Sequence, residues 1–273
     1  MQPVLRTLSL GWGVQSWTLA AMVALGELPP IDYAIHADTT WEHQATYEHA
    51  AKWTSWLEEH GVRVITVRGK RTEVIASWAN SISVMIPAFT VDRLSQSHGQ
   101  IKRQCTHDWK IMPIRRFLRE RLQEMGVRAL PGAVESLMGI SLDEFTRMRS
   151  SDVLYVVNSY PLVDARVTRP DCSTWLEGHG LPVPPKSSCV FCPYHKIASW
   201  KELKRAGGSD WETAVEVDVT IRDRRPNAQI FVHPARLPLP QAIKIPEDHG
   251  ARQMSLEDLW RNDAPCDGGF CFV

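Results

Sequence analysis

The sequence predicts an α/β protein: a Rossmann-like parallel sheet with helices on both faces, followed by a smaller cysteine-containing C-terminal subdomain. Three observations carry this expectation. The first half alternates short apolar runs with longer helical patterns, as βαβ units with right-handed crossovers do. The apolar fraction of 44% and the charged fraction of 23% are those of an ordinary globular chain of 273 residues. The first apolar run also leads through Gly11-Trp12-Gly13 directly into a helical pattern.

Taken in order, Val4 to Leu10 reads as a buried strand. Trp17 to Leu25 is a helix with apolar residues on most faces, stopped by Gly26 and two prolines. Tyr33 to Ala37 forms a second strand closing at Asp38. His43 to His60 forms a helix with Trp53, Trp56 and Leu57 at core spacing and Gly61 as its stop. Val62 to Val67 is a third strand, and residues 81–110 carry no clean period. A helix then spans Ile111 to Met125 with Pro113 in its first turn. Leu137 to Ile140 is a further strand leading into Ser141–Arg147. The region from Tyr160 to Lys204, with proline-rich turns and several tryptophans, reads as a subdomain over the strand ends. The remainder is punctuated by prolines and ends in Cys266-Asp-Gly-Gly-Phe-Cys271. The boundary between the two domains is placed at residues 158/159.

Charge is balanced, 31 Lys+Arg against 31 Asp+Glu, which excludes a bulk nucleic-acid binder held by a global basic field. No apolar run approaches the roughly 18 residues of a membrane span, and the first residues lack a secretory pattern, so a cytoplasmic protein with no membrane partner is expected. Locally, residues 102–128 hold eight Lys/Arg against three Asp/Glu, an excess of +5, while residues 27–60 hold seven acids against Lys52 alone. Arg119 and Arg121 read as a solvated helix face. Lys102 and Arg103 precede that helix in irregular sequence, where phosphate contact is more natural.

In a parallel sheet the ligand sits outside the carboxyl ends of the strands. Here those ends are Gly11–Ser16 and Asp38. A strand, a glycine-containing turn and a helix start together aim backbone N–H groups and a positive helix end at an anion. Gly11 and Gly13 permit close approach, and Ser16 adds a hydroxyl. The turn is neither a Walker A loop, lacking Gly-Lys-Ser/Thr, nor the dinucleotide fingerprint, which would need glycine at Ser16. Asp38, followed by two threonines, is equally suited to cap the next helix or to hold a ligand. Asp143 and Arg147 are spaced to form a helical ion pair.

Six cysteines stand at 105, 172, 189, 192, 266 and 271. Cys189-Val-Phe-Cys192 has the spacing of a metal or cluster pair, and also of a redox dithiol. His195 follows closely enough to join Cys172, Cys189 and Cys192 in a structural zinc site, and buried inert thiols are the remaining alternative. Of the eleven tryptophans, Trp12 lies within the loop itself, where it could stack or act as a lid.

The segment from Ser9 to Ala20 resembles the pyrophosphate loop of the PP-loop ATP pyrophosphatases, the adenine-nucleotide alpha-hydrolase superfamily, in its phosphoadenosine phosphosulfate (PAPS) reductase-like branch. The usual Ser-Gly-Gly-x-Asp-Ser falls on Gly11, Trp12, Gly13, Val14, Gln15 and Ser16. His36–Glu42, Lys102–Lys110, Gly139–Glu144 with Arg147, and the block from Tyr160 through Cys189-Val-Phe-Cys192-Pro-Tyr to Leu203 resemble the same branch. Two departures stand out: Gln15 replaces an acidic residue and Trp12 a glycine, so Mg²⁺ would have to be held by the nucleotide phosphates or by another acid.

The resemblance implies a nucleotide-binding fold of the PP-loop type over residues 1–158, with a cysteine-rich substrate or cluster region over 159–273. It implies ATP and Mg²⁺ as cofactors, cleavage of ATP to AMP and pyrophosphate, and adenylation of an acceptor. Ser9, Gly11, Trp12, Gly13, Gln15 and Ser16 would lie around pyrophosphate, with Ala37, Asp38, Thr39, Gly139 and Arg147 elsewhere around the nucleotide. Lys102, Arg103 and Asp143 would serve the chemistry. Cys105, Cys189 and Cys192 resemble the three ligands of a [4Fe-4S] site in sulfur-transfer enzymes, with Cys172 as a fourth, and Zn²⁺ is the alternative metal. The acceptor would be a small molecule or a nucleic acid, the sulfur would come from a donor protein, and the assembly admits a homodimer. Two other functions stay open: a sulfonucleotide reductase using Cys266 or Cys271, and a non-catalytic nucleotide-binding module with a structural zinc.

Overall fold

A computed structural model describes residues 2–70 and 84–244; the tail cysteines Cys266 and Cys271 lie outside the described residues. In chain order the elements begin with β1 (Leu5–Ser9), α1 (Val14–Ala24), β2 (Tyr33–Asp38), α2 (Gln44–Glu59) and β3 (Val64–Arg68). Then come β4 (Ala88–Asp92), β5 (His98–Ile101), a π-helical segment (Thr106–Ile111), α3 (Met112–Glu124) and β6 (Val134–Met138). A 3₁₀ segment (Leu142–Arg147), β7 (Val156–Ser159), α4 (Pro161–Asp164) and α5 (Arg169–Gly178) follow. The last elements are α6 (Ile197–Ala206), α7 (Gly208–Ile221), β8 (Ala228–Phe231) and α8 (Leu239–Ala242).

The chain folds into two compact units, and they interleave along the sequence. Residues 2–69 and 107–187 form the first; residues 70, 84–106 and 188–244 belong to the second. The division therefore does not fall at 158/159. Residues 161–178 stay with the first unit because α5 lays Cys172 and Leu176 into the core beside α1. Thr168 and Asp171 start α5 with a reciprocal capping box.

The first unit is the expected Rossmann-like α/β architecture. Its sheet has five parallel strands in the order β3-β2-β1-β6-β7. Alternation along each strand feeds two separate cores. Leu8, Ala34 and Leu137 pack under α1, α2 and α5, while Leu5, Ile35 and Val134 pack under Leu118 and Leu122 of α3. The strand order reverses at β1, which pairs with β2 on one side and β6 on the other. That reversal is where an open α/β sheet parts to admit a ligand.

The second unit carries an antiparallel sheet, β5-β4-β8, whose strands β4 and β5 come from the stretch 81–110 that shows no clean period. Asp218 of α7, fully buried, staples this unit: it accepts from the N–H groups of Val232 (3.1 Å) and Leu239 (2.9 Å) and pairs with Arg222. Burial pushes its carboxyl up, and these donors oppose the rise. No helix among the described residues is long and apolar enough to cross a membrane.

Two positions in the first unit test this packing. A Cβ on Gly139 would lie 2.8 Å from the Ser16 nitrogen and 2.9 Å from its Cα, backbone atoms that cannot rotate away. Gly139→Ala should cost about 2 kcal/mol in denaturant unfolding, as overpacking does, and should loosen α1 in hydrogen exchange. His49 of α2 is caged by Trp17, Trp12 and Trp53 at centroid distances of 5.3, 5.8 and 6.3 Å. Burial, helped by the Lys52 charge, lowers its pKa to about 4. In the unfolded chain the imidazole protonates near its ordinary pKa of 6.5, so stability is fully present above that pH and falls as pH drops towards about 4. His49→Leu should remove up to about 3 kcal/mol of that decline between the two values, read from unfolding free energies measured across the window.

Candidate functional site

The site in the first unit is built on the ends of β1, β2 and β6. Leu10 leaves β1 still bonded to the Ile35 carbonyl (2.9 Å), and Trp12 then takes φ 56°, a left-handed conformation rare for a side-chain-bearing residue. Its indole is 1% exposed, 5.9 Å from Trp17 and 6.5 Å from His36 between ring centroids. Trp12 is thus an anchor beneath the loop, and the stacking or lid role expected for it is corrected. His36 supports it from β2 with Nδ1 3.1 Å from the Leu10 carbonyl, and burial holds its pKa below the usual value.

Gly13 is the N-cap of α1 and offers no side chain to bond the first turn, so the N–H groups of Val14, Gln15 and Ser16 have no side-chain cap. Trp17 N makes the first intrahelical bond to the Gly13 carbonyl (2.9 Å). Ser16 closes the loop on itself: its Oγ accepts from Gly11 N and its hydroxyl faces the Gly13 carbonyl, each at 3.2 Å. The first turn contains no acidic residue. Those N–H groups and the positive helix end are suited to a phosphate.

Gln15 has a specific partner. Its Nε2 donates to Glu144 Oε2 at 2.9 Å and lies 3.3 Å from Ser141 Oγ. Glu144 is also ion-paired with buried Arg147. Burial raises the Glu144 carboxyl, with Arg147 and Arg169 opposing. Arg147 therefore pairs with Glu144. The carboxylate of Asp143 accepts from Arg169 N (2.8 Å) at the start of α5, a capping role.

Asp38 does not cap α2, whose N-cap is His43. Burial would raise its carboxyl. The Thr40 N–H, the Tyr47 hydroxyl and the Arg68 guanidinium, each at 2.8 Å, outweigh that and hold it below the usual range. Ala37 and Thr39 are buried beside it, and Gly139 packs on Ser16.

Three groups were not among the candidate site residues read from the sequence. Lys110, placed by the π-helical segment, donates to Glu42 Oε1 at 3.3 Å, with side chains 8% and 1% exposed. Ser187 reaches both Glu42 Oε2 (3.0 Å) and the Gly11 carbonyl (2.5 Å). The only advance signal was that Glu42 and Lys110 lie inside the motifs His36–Glu42 and Lys102–Lys110. The third is a cavity of about 410 Å³ between the sheet and α3. Ser9, Ile35 and Met138 line it from the strands, Ile114 and Leu118 from α3, and Arg115, Asp152 and Asn158 give it polar wall. Ser9 connects this cavity to the loop, since Leu10 follows it directly.

The predicted thiols divide between the units. Cys172 lies in the apolar core of the first, fully buried, with its pKa pushed up to about 11 by desolvation. A metal needs the thiolate, which this setting disfavours. Cys105, Cys189 and Cys192 all belong to the second unit. There the Cys192 N–H donates to the Cys189 carbonyl (3.0 Å), and His195 Nε2 is 2.8 Å from the same carbonyl, closing the Cys-x-x-Cys turn. Arg103 stacks over Tyr194 at 4.5 Å, and Lys102 is exposed. Among the described residues, no group of three His, Cys, Asp or Glu side chains that could hold a metal ion is found.

No protein-family model and no curated protein matches the chain. Among solved structures, it is similar to the phosphate complex of phosphoadenylyl-sulfate (PAPS) reductase from Candida auris, at 14% identity and a TM-score of 0.41, covering 66% of this chain and 74% of that one.

Proposed function

We propose that the first unit binds ATP and cleaves it to AMP and pyrophosphate, adenylating an acceptor. One observation carries this reading: an uncapped helix start at Gly13–Ser16 stands next, through Ser9, to a cavity of about 410 Å³, within the usual range for a small-molecule site. In this arrangement the nucleoside enters the cavity against Ile35, Met138 and Leu118, and the β- and γ-phosphates meet the first turn of α1. An acceptor oxygen attacks the α-phosphorus, the α–β anhydride bond breaks, and pyrophosphate departs with its added negative charge. The N–H groups of residues 14–16 stabilise that charge where it develops. Mg²⁺ would enter on the phosphates, since the first turn of α1 supplies no carboxylate.

Sulfur transfer is the second half of the proposal, supported by three cysteines in one unit and a closed Cys-x-x-Cys turn. A sulfur nucleophile would displace AMP from the adenylated carbon of a small molecule or nucleic acid. The adenylation step does not pass through these thiols.

Calorimetry tests the first half. ATP and inorganic pyrophosphate should both bind, and Ile114→Trp, which fills the cavity, should weaken ATP by about tenfold or more while leaving pyrophosphate nearly unchanged. Equal losses of both would remove the nucleoside from the cavity, and a wild-type protein that binds neither would end the reading. For the second half, protein purified without oxygen should contain iron and acid-labile sulfide that Cys105→Ala abolishes. Zinc alone would make the turn a structural clasp and leave adenylation without sulfur transfer.

A further inference from the structure

Alternate residues of a strand share a face, and the register of the five-stranded sheet sorts the face beneath α3 into rows. In one row Leu5, Val134 and Val156 stand opposite one another on β1, β6 and β7, and all three pack into the core. Two residues further along each strand, the next row reads Thr7, Ser136 and Asn158. The face thus turns from apolar to polar in a single step, and all three polar residues line the cavity. Polar side chains beneath a helix cost stability unless something bonds to them.

Their partners are unequal. The Thr7 hydroxyl donates to the Glu135 carbonyl at 3.3 Å, and Ser136 has only the Met138 sulfur, at 3.7 Å. A thioether is a weak acceptor, and a serine hydroxyl can turn to give or to take a hydrogen bond. Asn158 lacks that freedom. Its Nδ2 donates to the Arg149 carbonyl at 2.9 Å, and a reversed amide would set oxygen against oxygen there. Tyr160 holds the same peptide in place, its hydroxyl donating to the Arg149 carbonyl (2.5 Å) and accepting from the Arg149 N–H (2.9 Å). Asn158 Oδ1 is therefore presented in a fixed sense, and among the described residues it has no hydrogen-bond partner.

We propose that Asn158 is the specificity-determining residue of the cavity: its Oδ1 accepts from the 6-amino group of an adenine base and disfavours purines without a donor at that position. A 6-keto purine would set two acceptors face to face. From Thr7 to Asn158 is two strand spacings, about 10 Å, so a nucleoside can lie along the row. Its base end then reaches β7, while its 5′ end stays near Ser9, two residues beyond Thr7 on β1. Ser136, beneath the middle, adapts to either polarity and does not choose between bases. This assignment rests on the reading of the cavity as the nucleoside site.

The test is calorimetry on the full chain with three triphosphates: ATP, purine riboside 5′-triphosphate, which lacks the 6-amino group, and inosine 5′-triphosphate, which has a 6-keto group instead. ATP should bind about fivefold or more tighter than either analogue, the size of one hydrogen bond. Asn158→Ala and Asn158→Leu, the second close to asparagine in volume, should bring ATP down to the level of the analogues. Loss of the Arg149 bond alone would weaken all three ligands and keep their ratios, so the ratio separates recognition from support of the cavity wall. Ser136→Ala should keep the wild-type preference. Wild type that binds ATP no tighter than the analogues overturns the assignment, and so does a preference that survives in both Asn158 variants. In either case the cavity reading stands if Ile114→Trp weakens ATP. If Ile114→Trp leaves ATP unaffected, the nucleoside lies elsewhere and the assignment falls with that reading.

Discussion

Burial of the Trp12 indole is the interaction on which the strand ends depend. A left-handed backbone costs a side-chain-bearing residue about 1–2 kcal/mol, whereas truncating a buried tryptophan typically costs about 3–5 kcal/mol. Packing therefore wins, and the loop is pinned from below by Trp17, His36 and His49. With Trp12 fixed, Gly13 falls at the cap of α1, and a cap without a side chain leaves the first turn open. A glycine at position 12 would adopt the same φ without strain, but it would have no anchor. The tryptophan trades backbone ease for a loop held in one conformation before any ligand arrives.

A second constraint acts from above. The Lys110–Glu42 pair is almost entirely buried, and such pairs add little net stability because desolvation offsets their attraction. What they supply is register. Glu42 lies between β2 and α2, Lys110 in the π-helical segment and Ser187 near the end of the first unit, so one carboxylate fixes three distant stretches of chain. Single π turns are uncommon and concentrate at functional sites. Here that turn packs Trp109 against Gly69, where a Cβ would lie 2.8 Å from the Trp109 Cα. The close approach ties the end of β3 to the segment carrying Lys110.

The parallel sheet and the loop were legible in the sequence because each has a local signal. Apolar runs of strand length and Gly11-x-Gly13 need no knowledge of the rest of the chain. The boundary between units was not legible, since β4 pairs not only with its neighbour β5 but also with β8, more than a hundred residues later, and no local signal reports that pairing. The surroundings of Cys172 and Asp143 were not legible for a related reason. Burial in the α1–α5 core and a bond to Arg169 N are tertiary facts, while Cys and Asp read as ligands in any context. Ser187 carried no signal at all, because a serine before a Cys-x-x-Cys turn is ordinary.

Gln15 departs from the acidic residue of the resembled pattern, and its surroundings supply a physical reason. Glu144 lies 2.9 Å from its amide nitrogen, so an acid at position 15 would put two carboxylates together, and one would have to take a proton. The amide and Glu144 thus work as a matched pair: the negative charge comes from the turn after β6, and the loop meets it with a donor. Arg147 then balances that charge. The consequence reaches the helix start. With no carboxylate in the first turn of α1, the positive end of the helix is not neutralised from within its own sequence. Its attraction is left for an incoming anion, while the acid beside it is already committed to Gln15 and Arg147. On the proposed reading, such a loop would bind the phosphates themselves rather than gather a metal ion in advance.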